Sequence, residues 1–260
     1  MIDIIFKNIK HIEKLRLIIF GKHPYNTLFN YNWLLIRIII KDLKKINQVN
    51  NTIVNGTFVD VGAGNLPYFD IFKKNIRKYI AIDLPDIIPQ KCKSELIELM
   101  PGDIYNIPLQ DNFADISFSS QVFYALINPE LAIKEMARIT KAGGFIILTV
   151  PHIMPLITEP YDYYRFTPNI FEEYAKDNNL ELVNCKFQGN VFTSMGLLLN
   201  MNIVLSEYDI NRKNFHLTKL LWICAPIIFL INLSCYFLSI TIGNFLTNRC
   251  PTNFLVIYKK

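Results

Sequence analysis

Thr57-Phe58-Val59-Asp60-Val61-Gly62-Ala63-Gly64 puts a Gly-x-Gly turn directly after an apolar run, and Tyr79-Ile80-Ala81-Ile82-Asp83 ends a second apolar run on a carboxylate. Glycines let a backbone turn tightly and lie close to a ligand, and one carboxylate can accept from two adjacent hydroxyls. At the ends of neighbouring strands in a βαβ unit, this pair suits an adenosine-bearing cofactor, with the acid on the ribose. A dinucleotide site wants glycines at three places and no nearby negative charge. Here Leu66-Pro67 occupies the third position, and Asp60 stands two residues before the first glycine. A carboxylate there repels a pyrophosphate in a poorly screened crevice and attracts a cation, such as the ammonium group of S-adenosylmethionine (SAM). The plain alternative is an ordinary α/β turn whose glycines serve backbone geometry.

A second group of candidates lies in Pro151-His152 and in Glu159-Pro160-Tyr161-Asp162-Tyr163-Tyr164-Arg165-Phe166-Thr167. His152 follows an apolar strand at the end where catalytic side chains gather. It is a candidate general base for a hydroxyl acceptor, or else a histidine bonded to a loop. Asp162 and Arg165 either pair with each other, or Arg165 binds an anionic substrate group such as a phosphate or uronate. Tyr163 and Tyr164 are candidates for the wall of an acceptor pocket, with packing before a helix as the alternative. Five cysteines without a Cys-x-x-Cys and four scattered histidines form no metal-ligand cluster, so no metal is expected.

These residues need elements to position them. From Thr57 the chain alternates strand and helix: a strand to Gly62, a helix from about Pro67 to Asn75, and strands at Tyr79–Asp83, 97–100 and Ala114–Ser119. Asn128-Pro129-Glu130 opens a helix to Lys141, which Gly143-Gly144 stops before strand Phe145–Val150. Thr167-Pro168 opens another helix through Lys176, and strands Leu180–Phe187 and Phe254–Tyr258 complete the set. The pattern predicts an α/β Rossmann-like three-layer sandwich with a mostly parallel, seven-stranded sheet and its ligand at the carboxyl ends. Residues 1–50 read as an N-terminal helical extension, with Trp33, Leu34, Leu35, Ile38 and Ile39 on its apolar face. Residues 51–189 and 251–260 form the cofactor domain, and residues 190–250 an apolar helical insertion.

Several of these segments together resemble the class I SAM-dependent methyltransferases, specifically the type 11 branch. They are Val59–Gly64, Ala81-Ile82-Asp83, Gly102-Asp103-Ile104, Asp111–Asp115, Glu135–Ile139 and Lys141–Phe145, in family order over about residues 56–152. Leu66 departs from the small residue seen elsewhere, and the third strand is short. The resemblance implies SAM as cofactor. Gly62 and Gly64 would lie against its methionine moiety, Asp60 near its amino group and Asp83, followed by Leu84, on the ribose. Asp103 and the Ile104 backbone would meet the adenine, and Ser119, Ser120 and Gln121 would border the sulfonium and the acceptor. The stretch Tyr163–Thr167 before an apolar insertion resembles type 11 enzymes of cell-envelope glycan or lipid-linked saccharide work. The implied acceptor is therefore a small molecule, a glycan or a lipid-linked saccharide.

The net charge of +5 comes without a sustained basic run or interleaved aromatics, so nucleic acid is not an expected partner. A basic balance beside apolar segments favours an anionic membrane surface instead. Residues 187–206 and 220–248 carry no charged side chain. If Phe254–Tyr258 rejoins the sheet, the chain between crosses a membrane an even number of times, zero included. Residues 187–248 are thus candidates for membrane contact as two crossings, a re-entrant hairpin or interfacial helices; a soluble lid or dimer surface is the alternative. Residues 1–7 lack the features of a signal peptide, so a cytoplasmic location is expected, or a peripheral one on the membrane's inner face. Two other functions stay open: a non-catalytic SAM-binding, membrane-associated protein, and an NAD-dependent oxidoreductase or epimerase. Asp60, Leu66 and the lack of a Tyr-x-x-x-Lys pair weigh against the last.

Overall fold

A computed structural model describes residues 14–15, 17–49, 56–92, 94–211 and 217–260. The parts of the expected N-terminal extension at 1–13, 16 and 50 lie outside the described residues. The chain divides into two compact units, one of residues 39–188 with 251–260 and one of residues 1–38 with 189–250. The expected boundaries at 50 and 190 thus differ from the observed division at the N-terminal side. Helix α1 (Trp33–Val49) begins in the smaller unit and ends in the larger.

In the larger unit, seven strands form one sheet: β1 (Gly56–Val61), β2 (Ile76–Asp83), β3 (Ile97–Pro101), β4 (Ala114–Ser120), β5 (Thr140–Pro151), β6 (Glu181–Gln188) and β7 (Asn253–Lys259). Their order is β3-β2-β1-β4-β5-β7-β6. The first five pair parallel, and β7 runs antiparallel between β5 and β6. Consecutive buried residues Phe58, Val59, Asp60 and Val61 mark β1 as a strand covered on both faces, as parallel sheets require. Aromatic packing fills one side: Phe58 lies 4.5 Å from Phe72, 5.1 Å from Tyr79 and 5.6 Å from Phe118 by ring centroid. Across the sheet, Ile133 and Met136 of α3 (Pro129–Ile139) and Phe171 of α4 (Pro168–Asp177) are fully buried in the core.

Two helices depart from expectation. The one expected over Pro67–Asn75 contracts to a single turn, α2 (Phe69–Phe72). No side chain caps its start, and Asn75 is drawn away by donating to the backbone oxygen of Asn47 at 3.0 Å. Helix α3 ends at Ile139, before Gly143-Gly144. The Thr140 backbone is already extended while its hydroxyl donates to the Met136 carbonyl at 2.6 Å, so the strand starts there and absorbs both glycines. Gly143 takes a φ of +80°, and its N–H reaches the Lys260 carbonyl at 2.7 Å.

The smaller unit holds a two-residue ribbon (Gly21–Lys22 with Tyr25–Asn26) and helices α5 (Val191–Asn211) and α6 (Leu217–Ile240). Asn200 donates to Asn232 at 2.8 Å, both fully buried, and Asn232 donates in turn to the carbonyls of the half-buried Leu28 and Asn30. A Cβ on Gly196 would come within 2.9 Å of the Cys235 Cβ, so the helices approach closely there. Among the described residues no helix is long and apolar enough to cross a membrane. Because β7 rejoins the sheet, a single crossing by the segment before it is excluded.

The loop between β3 and β4, which carries Asp103, is fastened to α3 by one arginine. Arg138 donates to both Glu135 oxygens (2.9 and 2.8 Å), to Asp111 (2.7 Å) and to the carbonyls of Leu109 and Ile107. Glu135 also accepts from the Ile107 N–H at 3.0 Å. The Arg138 hydrogen bonds hold the Glu135 carboxyl below its ordinary value of 4.5. A depressed carboxyl contributes stability that is complete above its unfolded value and is lost as pH falls towards the folded one. Arg138→Ala is expected to lower the melting temperature by about 5–10 °C at neutral pH, the equivalent of a few charged hydrogen bonds. Thermal melts should also show a shallower acid limb below about pH 4.5 for Glu135→Gln than for the parent; equal limbs would contradict the assignment.

Candidate functional site

The strand order reverses between β1 and β4, and the crevice outside such a reversal is where α/β sheets bind ligands. A cavity of about 680 Å³ opens there. The ends of β1 and β2 supply Val61, Gly62, Ile82, Asp83 and Leu84; Gly102, Asp103, Ile104 and Tyr105 follow β3, and Gln121 and Val122 follow β4.

The turn after β1 is anchored on β2. Gly62 and Ala63 both donate to the Ile82 carbonyl, at 2.8 and 3.1 Å. Asp83 then accepts from the Gly64 N–H with one oxygen at 2.7 Å and from the Leu84 N–H with the other at 2.8 Å. Each carboxylate oxygen can accept a second bond, so Asp83 can still receive a pair of hydroxyls. Gly62 has a φ of +77°, and a Cβ there would lie 2.4 Å from Val122 Cγ2. Gly64 has a φ of +49° with open space where a Cβ would stand. Gly62 is therefore required by packing and lines the cavity, whereas Gly64 has room for a side chain and is not among the lining residues.

Asp103 caps its own turn, accepting from the Tyr105 N–H at 3.0 Å, and lines the cavity beside Ile104. Gln121 holds a φ of +59°, and its amide donates to Thr149 Oγ1 at 3.1 Å and to Asn253 Oδ1 at 2.9 Å. The remaining wall comes from Ala125, Leu126, Ile127, Thr158, Tyr161 and Tyr163. Two carboxylates and three tyrosines line this space, with no lysine, arginine or histidine among its lining residues.

Several expected site residues sit elsewhere. Asp60 is 2% exposed and accepts a short hydrogen bond from the Tyr79 hydroxyl, so the negative charge facing the cavity belongs to Asp83 and Asp103. Strand alternation accounts for this, because Asp60 shares a face with Phe58, which stacks on Tyr79. Ser119 is 1% exposed, with its hydroxyl buried and unpartnered, and does not reach the cavity. His152 is also outside it: Nδ1 lies 2.7 Å from the Phe166 carbonyl, and the ring packs 5.0 Å from Phe254.

Asp162 and Arg165 form a pair, with Arg165 Nη2 2.8 Å from Asp162 Oδ2. Asp162 also accepts from the Ile157 N–H at 2.9 Å, and Arg165 donates to the Pro155 and Tyr164 carbonyls. The Arg165 hydrogen bonds hold the Asp162 carboxyl below its ordinary value, although burial opposes them. This ion pair knots the loop after β5 and leaves neither charge on the cavity wall. Of the four catalytic candidates, Tyr163 alone lines the cavity, its N–H held by the Tyr124 carbonyl at 2.9 Å. Tyr105, Val122, Leu126, Ile127, Thr158 and Tyr161 were not singled out by the sequence. Tyr105 directly follows the Asp103-Ile104 motif and was the one with a readable signal; the others lie on loops without periodicity.

Residues 59–148 match the profile of the methyltransferase domain family. A tRNA (carboxymethyluridine(34)-5-O)-methyltransferase of Arabidopsis thaliana is 28% identical over 95 residues, which cover 35% of this chain and 23% of that protein. The chain spans less than a quarter of the length of the curated relatives it matches. Among solved structures, a putative sarcosine dimethylglycine methyltransferase from Galdieria sulphuraria superposes with a TM-score of 0.55 at 14% identity, covering 85% of this chain and 84% of that one. The [4+2]-cyclase SpnF superposes with a TM-score of 0.54 at 13% identity, covering 86% and 81%. At such identities the structural likeness shows the fold alone.

The buried Asp60 has a measurable consequence. Burial pushes its carboxyl up to about 7, with the Tyr79 hydrogen bond opposing and the Asp83 charge adding to the rise. The folded chain then holds a proton that the unfolded chain releases near 3.8, so this group costs stability as pH rises from there through about 7. Asp60→Asn cannot ionise and is expected to melt with a flatter profile than the parent between about pH 4 and pH 7. Parallel profiles would refute the buried, protonated reading.

Proposed function

We propose that this chain, which carries a class I SAM-dependent methyltransferase domain, transfers a methyl group from SAM to a small, uncharged acceptor group. One observation carries the reading: among the described residues the cavity at the strand reversal is walled by Asp83 and Asp103 and by no cationic side chain. A donor with an adenosine, an ammonium and a sulfonium suits that wall. A pyrophosphate does not, which weighs against the NAD-dependent alternative.

The residues present fit SAM. Asp83 would take both ribose hydroxyls on the acceptor sites left by Gly64 and Leu84. Gly62 on the cavity wall, with Gly64 following in the same turn, would receive the methionine moiety. Asp103 and Ile104 would face the adenine. Asp60 acts at one remove, bonded to Tyr79 beneath the turn. When bound, SAM supplies an activated methyl group open to in-line displacement, so the protein needs no covalent nucleophile. Its contribution is alignment and exclusion of water. Gln121, pinned by Thr149 and Asn253, and Tyr163, pinned by Tyr124, would orient the acceptor between them.

The acceptor side, from Val122 to Tyr163, holds apolar and aromatic groups and hydroxyls but no charged side chain. It favours a hydroxyl- or ring-bearing portion of a small molecule or lipid-linked saccharide over a phosphate or uronate group. The larger unit has 17 basic and 18 acidic residues. That balance offers little to a nucleic-acid backbone, so the acceptor class named for the Arabidopsis relative is not carried over.

Calorimetric titration with SAM and, separately, with NAD tests the reading. SAM is expected to bind and NAD not; the reverse would overturn it. Asp83→Ala should weaken SAM about a hundredfold or more, the loss of two hydrogen bonds to a charged group, while the melting temperature stays within a few degrees. Unchanged SAM affinity would remove Asp83 from the ribose. Release of S-adenosylhomocysteine on adding cell-envelope extract separates a transferase from a non-catalytic SAM binder.

A further inference from the structure

The apolar insertion leaves a helix face uncovered. Along α6, Ile227, Leu230, Leu233, Phe237 and Ile240 are 45–61% exposed at spacings of three or four, which places them on one side of the helix. The opposite side packs inward, with Ala225, Ile228, Asn232 and Cys235 buried. The exposed stripe continues past the helix in Ile242 and Leu246 and ends in Phe245, 90% exposed. No charged residue occurs from 220 to 248. A contiguous apolar surface of this kind marks an interaction site.

Charge identifies what covers it. The smaller unit, residues 1–38 and 189–250, holds 10 basic and 4 acidic residues, so it carries the whole positive excess of the chain. In the sequence Arg212, Lys213 and Lys219 precede the uncharged stretch and Arg249 follows it. An apolar stripe flanked at both ends by cations matches a surface that is apolar below and anionic above. A second copy of this chain would set that same positive excess against itself.

We propose that the smaller unit docks on an anionic lipid surface, with the exposed face of α6 and the Ile242–Leu246 turn entering the acyl boundary and the exposed Arg249 meeting the headgroups. The helix lies in the interface and does not cross it, in keeping with the absence among the described residues of a helix able to span. The proposal does not depend on methyl transfer, and its test reads lipid binding alone.

The test is co-sedimentation of the full chain with vesicles of phosphatidylglycerol and phosphatidylcholine, against phosphatidylcholine alone, at low and high salt. Binding to the anionic vesicles that weakens with salt is expected. Phe237→Ser with Phe245→Ser should reduce that binding about tenfold or more, because both side chains leave the acyl boundary. Both positions are exposed, so the melting temperature and SAM affinity should not move. Arg249→Gln should cost about fivefold on anionic vesicles and little on neutral ones. Failure to bind either vesicle would overturn the proposal. So would a dimer in sedimentation equilibrium that the double serine variant dissociates.

Discussion

The site depends on a single carboxylate that ties two strands together at their ends. Asp83 closes β2, and through the Gly64 N–H it fixes the turn that leaves β1. Without that bond Gly62 and Ala63 would still be held by the Ile82 carbonyl, but Gly64 would lose its side-chain anchor, and glycine is the residue that loses most conformational freedom on ordering. With it, the turn's backbone is held beside a carboxylate that still has lone pairs to offer. The same group therefore shapes the crevice and faces the ligand, at the one place where the strand order reverses.

Two aspartates twenty-three residues apart in the sequence have opposite fates around this point. Asp83 stays at the rim with backbone donors, whereas Asp60 points into the aromatic side of the sheet and shares a proton-rich contact with Tyr79. Burial pushes the Tyr79 hydroxyl well above its ordinary range, and the neighbouring Asp60 adds to the rise, so this pair avoids carrying two charges. Raising the Asp60 carboxyl to about 7 beneath the turn lessens the negative charge set against the second carboxylate above it. The cavity's charge is thus set by which face of a strand each acid occupies.

That distinction separates what was legible in the sequence from what was not. The sheet was legible because seven short apolar runs alternate with helical patterns, and parallel strands buried on both faces cannot disguise themselves. The turn and its acid were legible because both lie in contiguous strings whose geometry follows from glycine and from a strand end. The short α2 was not, since its length is decided by Asn75 bonding back to Asn47 through tertiary contact. The inward turn of Asp60 and Ser119 was available from strand alternation, Asp60 sharing a face with Phe58 and Ser119 with the buried Ser117. His152, Asp162 and Arg165 have the right chemistry close to the right strand. Their partners Phe166, Ile157 and Pro155 are loop backbone atoms that no periodicity announces.

The two units divide the physical work by charge. The larger one balances 17 basic against 18 acidic residues and places two of the latter, Asp83 and Asp103, at the crevice. The smaller one holds the positive excess together with the uncharged stretch of α6. Had the excess been spread evenly, cations would be expected near Asp83 and Asp103, where ion pairing would compete with a cationic ligand. Segregating it leaves the crevice free of such competition and gives the apolar insertion cationic flanks. Neither property follows from the fold, which a [4+2]-cyclase shares; both follow from where the charged side chains were placed on it.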